Sequence, residues 1–431
     1  MADHVILNAN LIPGGAIGSP WRRAPEPAAH FVGIEHYLDI ARTAERGLLD
    51  AVFLADSPDI QAKDWNAPSR LLDPFIAQSV LAAHTSHIGL IVTATTSYND
   101  PYNLARAFAS LSAVSGGRVG WNFVVTGGDA AARNYSLEQA LSKPERYARA
   151  AEFLDVVLAL WDSAPADALV GDKATGRYLD PAVVRPINHD GKVFRVAGPL
   201  KTTPLTHGRP VLIQAGASTH GVELGARTAD AVYSAHVDPE SAIRRRTELR
   251  AHAQAAGRHP DSVKLLPGLI VVLGDTETAA RRRELELIDL IPDDIQLVNL
   301  ADRLGIAPDV LDLDAPFPWH AIPDENSDRG SRGQRAVLLD NIRAAGADTR
   351  GAARLLASGS VHAKVVGAPE QVAGFIADWF AAGAVDGFNV MIDELPSGLE
   401  HFVDHVVPLL QQRGIFRTEY ETTTLRGHYS L

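Results

Sequence analysis

The chain has 431 residues, 46% of them hydrophobic and 21% charged, and its 40 Lys+Arg against 52 Asp+Glu give a formal net charge of −12. That mix excludes a disordered chain, and the acidic balance argues against nucleic acid as a main partner. Cysteine is absent, which excludes disulfides, thiolate metal sites and cysteine nucleophiles together; no metal site is expected. No apolar run approaches the roughly 18 residues of a membrane span, so the expected address is the cytoplasm, with no membrane contact.

In chain order, short apolar runs alternate with amphipathic stretches. The first run covers residues 5–11, and Ile34, Tyr37, Leu38, Ala41 and Leu48 then follow at helical spacing. A strand over 51–56, a helix over 71–83, a strand over 88–96, a helix over 101–114 and a strand over 119–125 repeat the unit. The next helix carries Tyr147, Ala150, Ala151, Leu154, Val157, Leu158 and Trp161 on one stripe.

Residues 162–208, rich in Pro, Gly and Asp, read as an insertion. Strands over 211–214, 231–236 and 263–273 resume the alternation, with helices over 219–228, 239–256 and 277–290. A second irregular stretch, about 291–360, follows. Val372, Phe375, Ile376, Trp379 and Phe380 form another helical stripe before a strand over 387–393 and a helix over 398–413.

Eight strands with helical returns require parallel pairing. A (β/α)8 TIM-type barrel with insertions fits this count, against an open doubly wound sheet as the competing α/β architecture. At about 150 residues per domain the length allows three units, but α/β barrels exceed that as one. The reading is one barrel domain over 1–431, with insertions near 162–208 and 291–360.

In a barrel of this type, chemistry sits where strands end, at the C-terminal face. The strand ends deliver Asp56, Thr93, Thr95, Asn122 and the run Gln214, Ala215, Gly216, Ala217, Ser218, a hydrogen-bonding set suited to a planar polar ligand. Gly216 and Ser218 sit where a strand feeds a helix, whose N-terminal amides attract phosphate; a plain N-cap is the alternative for Ser218. Asp56 would bind ligand N–H groups, act as a base, or cap a turn. Tyr147 packs in its helix or turns its hydroxyl to an anion. His207, His236 and His320 are proton-shuttle candidates, and Phe31, Phe53, Trp65 and Trp319 candidate pocket walls, against ordinary packing.

The segments from Thr93 to Arg106, Ser115 to Asn122, Ala132 to Tyr135, Gln214 to Ser218, Val385 to Phe388 and Arg413 to Arg417 are spread in order over nearly the whole chain. Together they resemble the reduced-flavin-dependent monooxygenases of the nitrilotriacetate and dibenzothiophene-sulfone type, within the bacterial luciferase-like superfamily. The resemblance implies a barrel binding FMN at the strand C-termini, supplied reduced by a separate flavin reductase, and a homo-oligomer. It implies that Asp56, Thr93 and Thr95 contact the isoalloxazine, Asn122 the ring or ribityl chain, and Tyr147, Gly216 and Ser218 the phosphate end. Oxygen is the co-substrate, and a flavin-peroxide adduct delivers one atom to a small organic substrate.

Where the family commonly carries a histidine four residues before the tyrosine, this chain has Lys143. Three other functions stand beside the flavin reading. One is a deazaflavin-dependent hydride transfer on the same barrel, and another a flavin-binding protein without turnover. The third, a glycoside hydrolase, needs paired carboxylates that the fourth strand, ending Trp121, Asn122, Phe123, does not supply.

Overall fold

A computed structural model describes residues 4–60, 67–68, 72–215, 219–323, 332–359 and 362–431. The strands are β1 (Ile6–Asn10), β2 (Ala51–Leu54), β3 (Gly89–Thr95), β4 (Val119–Val124), β5 (Val211–Ala215), β6 (Ala231–Ser234), β7 (Lys264–Leu273), β8 (Ala363–Gly367) and β9 (Gly387–Ile392). Parallel pairing runs from β1 through β7 in order, then β7 to β9 and β9 back to β1. The ring is therefore closed, and its eight strands are the eight that the sequence predicts.

The extra strand, β8, is a correction. Residues Ala363 to Gly367 pair with Leu269 to Leu273, the second half of β7, whose first half pairs with β6. It lies outside the ring, beside the end of a ten-residue strand too long for its neighbour.

Local chemistry places the returning helices. α1 (Ile34–Arg46) ends at Gly47. α2 (Pro74–His84) and α3 (Pro101–Ser115) each open with an Asp-Pro pair: Asp73 accepts from the amides of Phe75 and Ile76, and Asp100 from those of Tyr102 and Asn103. Each aspartate caps free amides while the proline, which has no amide to satisfy, starts the turn. α4 (Lys143–Asp162) opens with a capping box between Ser142 and Glu145. α5 (Thr219–Thr228), α6 (Pro239–Ala255) and α7 (Glu277–Asp289) complete the middle of the chain.

The strands' alternation separates two layers. Outward residues such as Leu7, Val52, Leu90, Val92, Trp121, Phe123 and Leu212 join the main core under the helices. Inward residues Ile6, Ala51, Phe53, Ile91, Val211, Ile213, Ala231 and Leu266 fill the barrel, together with Leu425 and Tyr429 from the C-terminal tail. Leu425 fits because Gly89 and Gly120 carry no side chain; a Cβ there would stand 2.5 and 2.9 Å from its methyls. The Tyr429 hydroxyl donates to Asn8 Oδ1 at 2.9 Å, Asn8 donates to Asn389 Oδ1 at 2.9 Å, and Asn389 donates to the Leu266 carbonyl at 2.8 Å. The tail is thus a plug in the lower end of the barrel.

The insertion at 162–208 forms two small antiparallel hairpins, Leu169–Asp172 with Arg177–Leu179 and His189–Asp190 with Arg195–Val196. The stretch at 291–360 is not irregular as expected. It contains α8 (Asp293–Leu304), α9 (Arg332–Ala345) and α10 (Thr349–Ala357), with a core of its own that includes Leu300, Leu304, Phe317, Leu338, Ile342 and Ala352. Leu297, Leu300, Ala301 and Leu304 have helical spacing, but Pro292 and Pro308 bracket them so closely that the prolines dominate the pattern. α11 (Pro369–Ala381) leads to β9, and residues 397–412 form the last long helical stretch, with a π turn at Phe402–Val406. Among the described residues no helix is long and apolar enough to cross a membrane.

Truncating Leu425 to alanine is expected to cost about 2–5 kcal/mol, the range for a buried leucine whose site cannot collapse. Urea denaturation followed by tryptophan fluorescence measures it; a wild-type midpoint would mean that the tail does not plug the barrel.

Candidate functional site

Parallel pairing sends every strand's C-terminal end to one rim, and a cavity of about 570 Å³ opens there. Each ring strand lines it: Asn10, Phe53, Thr93, Asn122 with Val124, Ala215, Tyr233, Ile270 and Met391. The loop after β1 adds Ile12 to Ala16 and Trp21, and the helical insertion roofs it with Gln296, Asn299, Asp302, Arg303 and Leu356. This size and mixed lining fit a small organic ligand.

Of the residues expected from sequence, Asp56, Thr93 and Asn122 line this cavity. Register accounts for two of them, because Thr93 and Asn122 are directly paired across β3 and β4. Both are buried, and Asn122 Nδ2 donates to Thr93 Oγ1 at 2.9 Å. That bond fixes the amide so that Asn122 Oδ1 is buried with no partner among the described residues. Asp56, two residues beyond β2, is exposed at the rim.

Thr95 is not among the cavity's lining residues. The Ser97 amide and the Thr126 hydroxyl donate to its oxygen at 3.0 and 2.9 Å, and it donates to the Val124 carbonyl at 3.3 Å. One donor and two acceptor sites are all a hydroxyl has, so Thr95 braces β3 against the end of β4. Tyr147, in the second turn of α4, is half-buried, its ring 5.5 Å from that of His220 at the start of α5 and away from the cavity lining. Gly216 and Ser218 lie outside the described residues, between Ala215 on the cavity and α5.

Phe53 is a cavity wall, as expected, whereas Phe31 packs against His30 and His36, and Trp319 against Phe317 and Arg343. Trp65 lies outside the described residues. Among the shuttle candidates, His236 meets Ser241 Oγ at 3.2 Å and does not line the cavity, and His320 is exposed on a short turn. His207 does not line it either, its Cβ packing against Gly117.

Besides the residues of the helical insertion, Asn10, Tyr233 and His362 line the cavity and escape the sequence reading. Asn10 is buried at the end of β1, and its Oδ1 has no partner among the described residues. Ile6, Asn8 and Asn10 alternate with Leu7, Ala9 and Leu11, so a polar inner face was readable there. Tyr233 and His362 form the second feature, with Tyr233 Oη 3.4 Å from His362 Nε2. They can approach because position 268 is glycine: a Cβ would stand 2.8 Å from both the tyrosine oxygen and His362 Nδ1. His362 precedes β8, the strand that the periodicity did not reveal.

Burial first, then the charges of Arg303 and His236, pushes the His362 pKa down to about 4; burial and Arg245 do the same for His236. Both imidazoles are therefore neutral at pH 7. Between pH 6.5 and 4 the unfolded chain binds protons at these positions that the folded chain refuses, so stability rises with pH across that window and is lost as pH falls through it. For His362 the displacement amounts to roughly 3 kcal/mol at full extent. His362→Gln should flatten the acid limb of a stability-pH curve between 6.5 and 4; an unchanged limb would show that this histidine is not held neutral.

The family described as luciferase-like monooxygenase matches residues 16–386. The chain is 40% identical over 414 residues to N-acetyl-S-(2-succino)cysteine monooxygenase of Bacillus subtilis (strain 168), covering 95% of this chain and 93% of that one. It is 39% identical over 424 residues to nitrilotriacetate monooxygenase component A of Aminobacter aminovorans, again covering 95% and 93%. A solved structure of riboflavin lyase with modified FMN and riboflavin superposes with a TM-score of 0.84 at 30% identity, covering 99% of this chain and 95% of that one. The barrel, its rim cavity and these matches agree: the chain is an enzyme of the luciferase-like monooxygenase family.

Proposed function

We propose that this protein is the oxygenase component of a two-component monooxygenase, in the cytoplasm and as a homo-oligomer, which takes reduced FMN from a separate reductase and oxygenates a small organic substrate with O2. The observation that carries the reading is the pair of buried amide oxygens, Asn10 Oδ1 and Asn122 Oδ1, that line the rim cavity without a partner among the described residues. Buried acceptors of this kind are costly unless a ligand donor completes them, and a reduced isoalloxazine offers ring N–H groups. The name of one relative as a component A and the flavin in a structural neighbour support the same reading.

In this proposal Asn10, Thr93 and Asn122 hold the ring, with Asp56 at its rim-facing edge, and Tyr147, Gly216 and Ser218 receive the phosphate end near the start of α5. Thr95 keeps β3 and β4 in register. Reduced FMN would supply the electrons for O2 activation, with one oxygen atom passing to substrate and the other leaving as water. The chain's own task is to orient the ring and exclude bulk water. Phe53, Val124, Ile270 and Met391 give the cavity its apolar wall. His362, neutral at pH 7, offers a hydrogen-bonding nitrogen there without bringing a positive charge.

Asn122→Leu removes both the Thr93 bond and the buried acceptor, and is expected to weaken reduced-FMN binding at least tenfold in an anaerobic fluorescence titration. Tyr147→Phe and Ser218→Ala should each cost about 1 kcal/mol or more in the same titration if they meet a charged phosphate. Asp56→Asn should change turnover with the melting temperature preserved. Wild-type affinity in the first three variants would discard the site.

A further inference from the structure

α8 is amphipathic in an unusual direction. Its Leu297, Leu300, Ala301 and Leu304 pack in the insertion's own core, which leaves Gln296, Asn299 and Arg303, at i, i+3 and i+7, on another face. A polar helix face ordinarily meets solvent. Here all three line the rim cavity together with Asn10 of β1, Asn122 of β4 and His362, the residue before β8.

Among the described residues lining the cavity, Arg303 is the one permanently charged cation; the carboxylates are Asp56 and Asp302, both exposed. Burial lowers the pKa of Arg303, offset in part by Asp302, and its charge is felt at His362, the residue before β8. Gln296 is buried, anchored by donation to the Ile291 carbonyl at 2.9 Å, and its Oε1 has no partner among the described residues. A guanidinium has five N–H donors, and its planar fork grips a carboxylate through two parallel N–H bonds.

We propose that Arg303, with Asn299 beside it on the same face of α8, recognises the carboxylate of a small anionic organic substrate, so that the helical insertion sets the substrate class. The inference rests on the oxygenase reading for its chemistry. The carboxylate anchors at the roof, and the reacting part of the molecule extends toward the barrel floor between Phe53, Ile270 and Met391.

The test is isothermal titration calorimetry of the full-length protein, with and without FMN, using phenylacetate, benzylthioacetate and succinate, each paired with its methyl ester. The acids are expected to bind at least tenfold tighter than the esters, and Arg303→Met to bring acid and ester within twofold. Arg303→Lys, which keeps the charge but not the fork, should retain an intermediate preference and carries the comparison if methionine unsettles the insertion. Equal binding of acids and esters, no binding of any acid, or a preference that survives Arg303→Met would overturn the proposal. Inorganic phosphate is titrated alongside: if it competes at Arg303, and Arg303→Met weakens FMN by the same factor as the acids, the guanidinium serves the flavin phosphate and the proposal is wrong. Failure of the wild-type protein to bind FMN is read separately, and it leaves the acid-ester comparison in the absence of FMN standing.

Discussion

Closure of the parallel ring is the constraint on which everything else rests. When β9 bonds to both β1 and β7, no strand edge remains between them, and all eight C-terminal ends are committed to one rim. The inward side chains then have a fixed vertical order. Apolar residues such as Ile6, Ile91 and Leu266 fill the lower levels, and amides, hydroxyls and a phenol stand above them at Asn10, Thr93, Asn122 and Tyr233. A polar group at the rim of a closed barrel cannot turn outward, because period two assigns the neighbouring residues to the helix layer. It is satisfied by another rim residue, as Thr93 is by Asn122, or by a ligand.

Two additions convert that ring into an enclosed site. The C-terminal tail fills the lower end through Leu425 and the bonded series Tyr429, Asn8, Asn389, and the cavity lies at the other end of the barrel. The helical insertion covers the upper side. It has a separate apolar core and turns its polar face downward, so substrate would meet fixed protein dipoles and one guanidinium rather than bulk water. β8 connects the two parts: outside the ring it pairs with the overlong end of β7, and His362 just before it stands over Gly268 and against Tyr233.

The ring was legible in the sequence because most strands are nearly continuous apolar runs and the return helices carry apolar stripes, two signals that survive without tertiary information. The start of α2 at Pro74, capped by Asp73, lies three residues beyond the start expected from apolar spacing. Thr93 and Asn122 could be placed at the rim from strand-end position, yet that they pair with each other depends on register, which one sequence does not state. The saturation of Thr95 depends on Ser97 and Thr126 for the same reason. His362 and β8 were hidden because Ala363 to Gly367 is a five-residue stretch with a lysine in it, and α8 because prolines flank a single short stripe. The roof residues Gln296, Asn299 and Arg303 become a site only when the insertion folds over the rim, a long-range contact with no local signature.

The central claim, that the rim cavity holds reduced flavin against Asn10 and Asn122, is tested most directly by a crystal structure of the protein grown or soaked anaerobically with reduced FMN. The account predicts density for the isoalloxazine within the cavity, its ring N–H groups meeting the two asparagine oxygens and its phosphate lying toward Tyr147 and the start of α5. Flavin bound anywhere else, or a cavity filled only by water at saturating FMN, would contradict it.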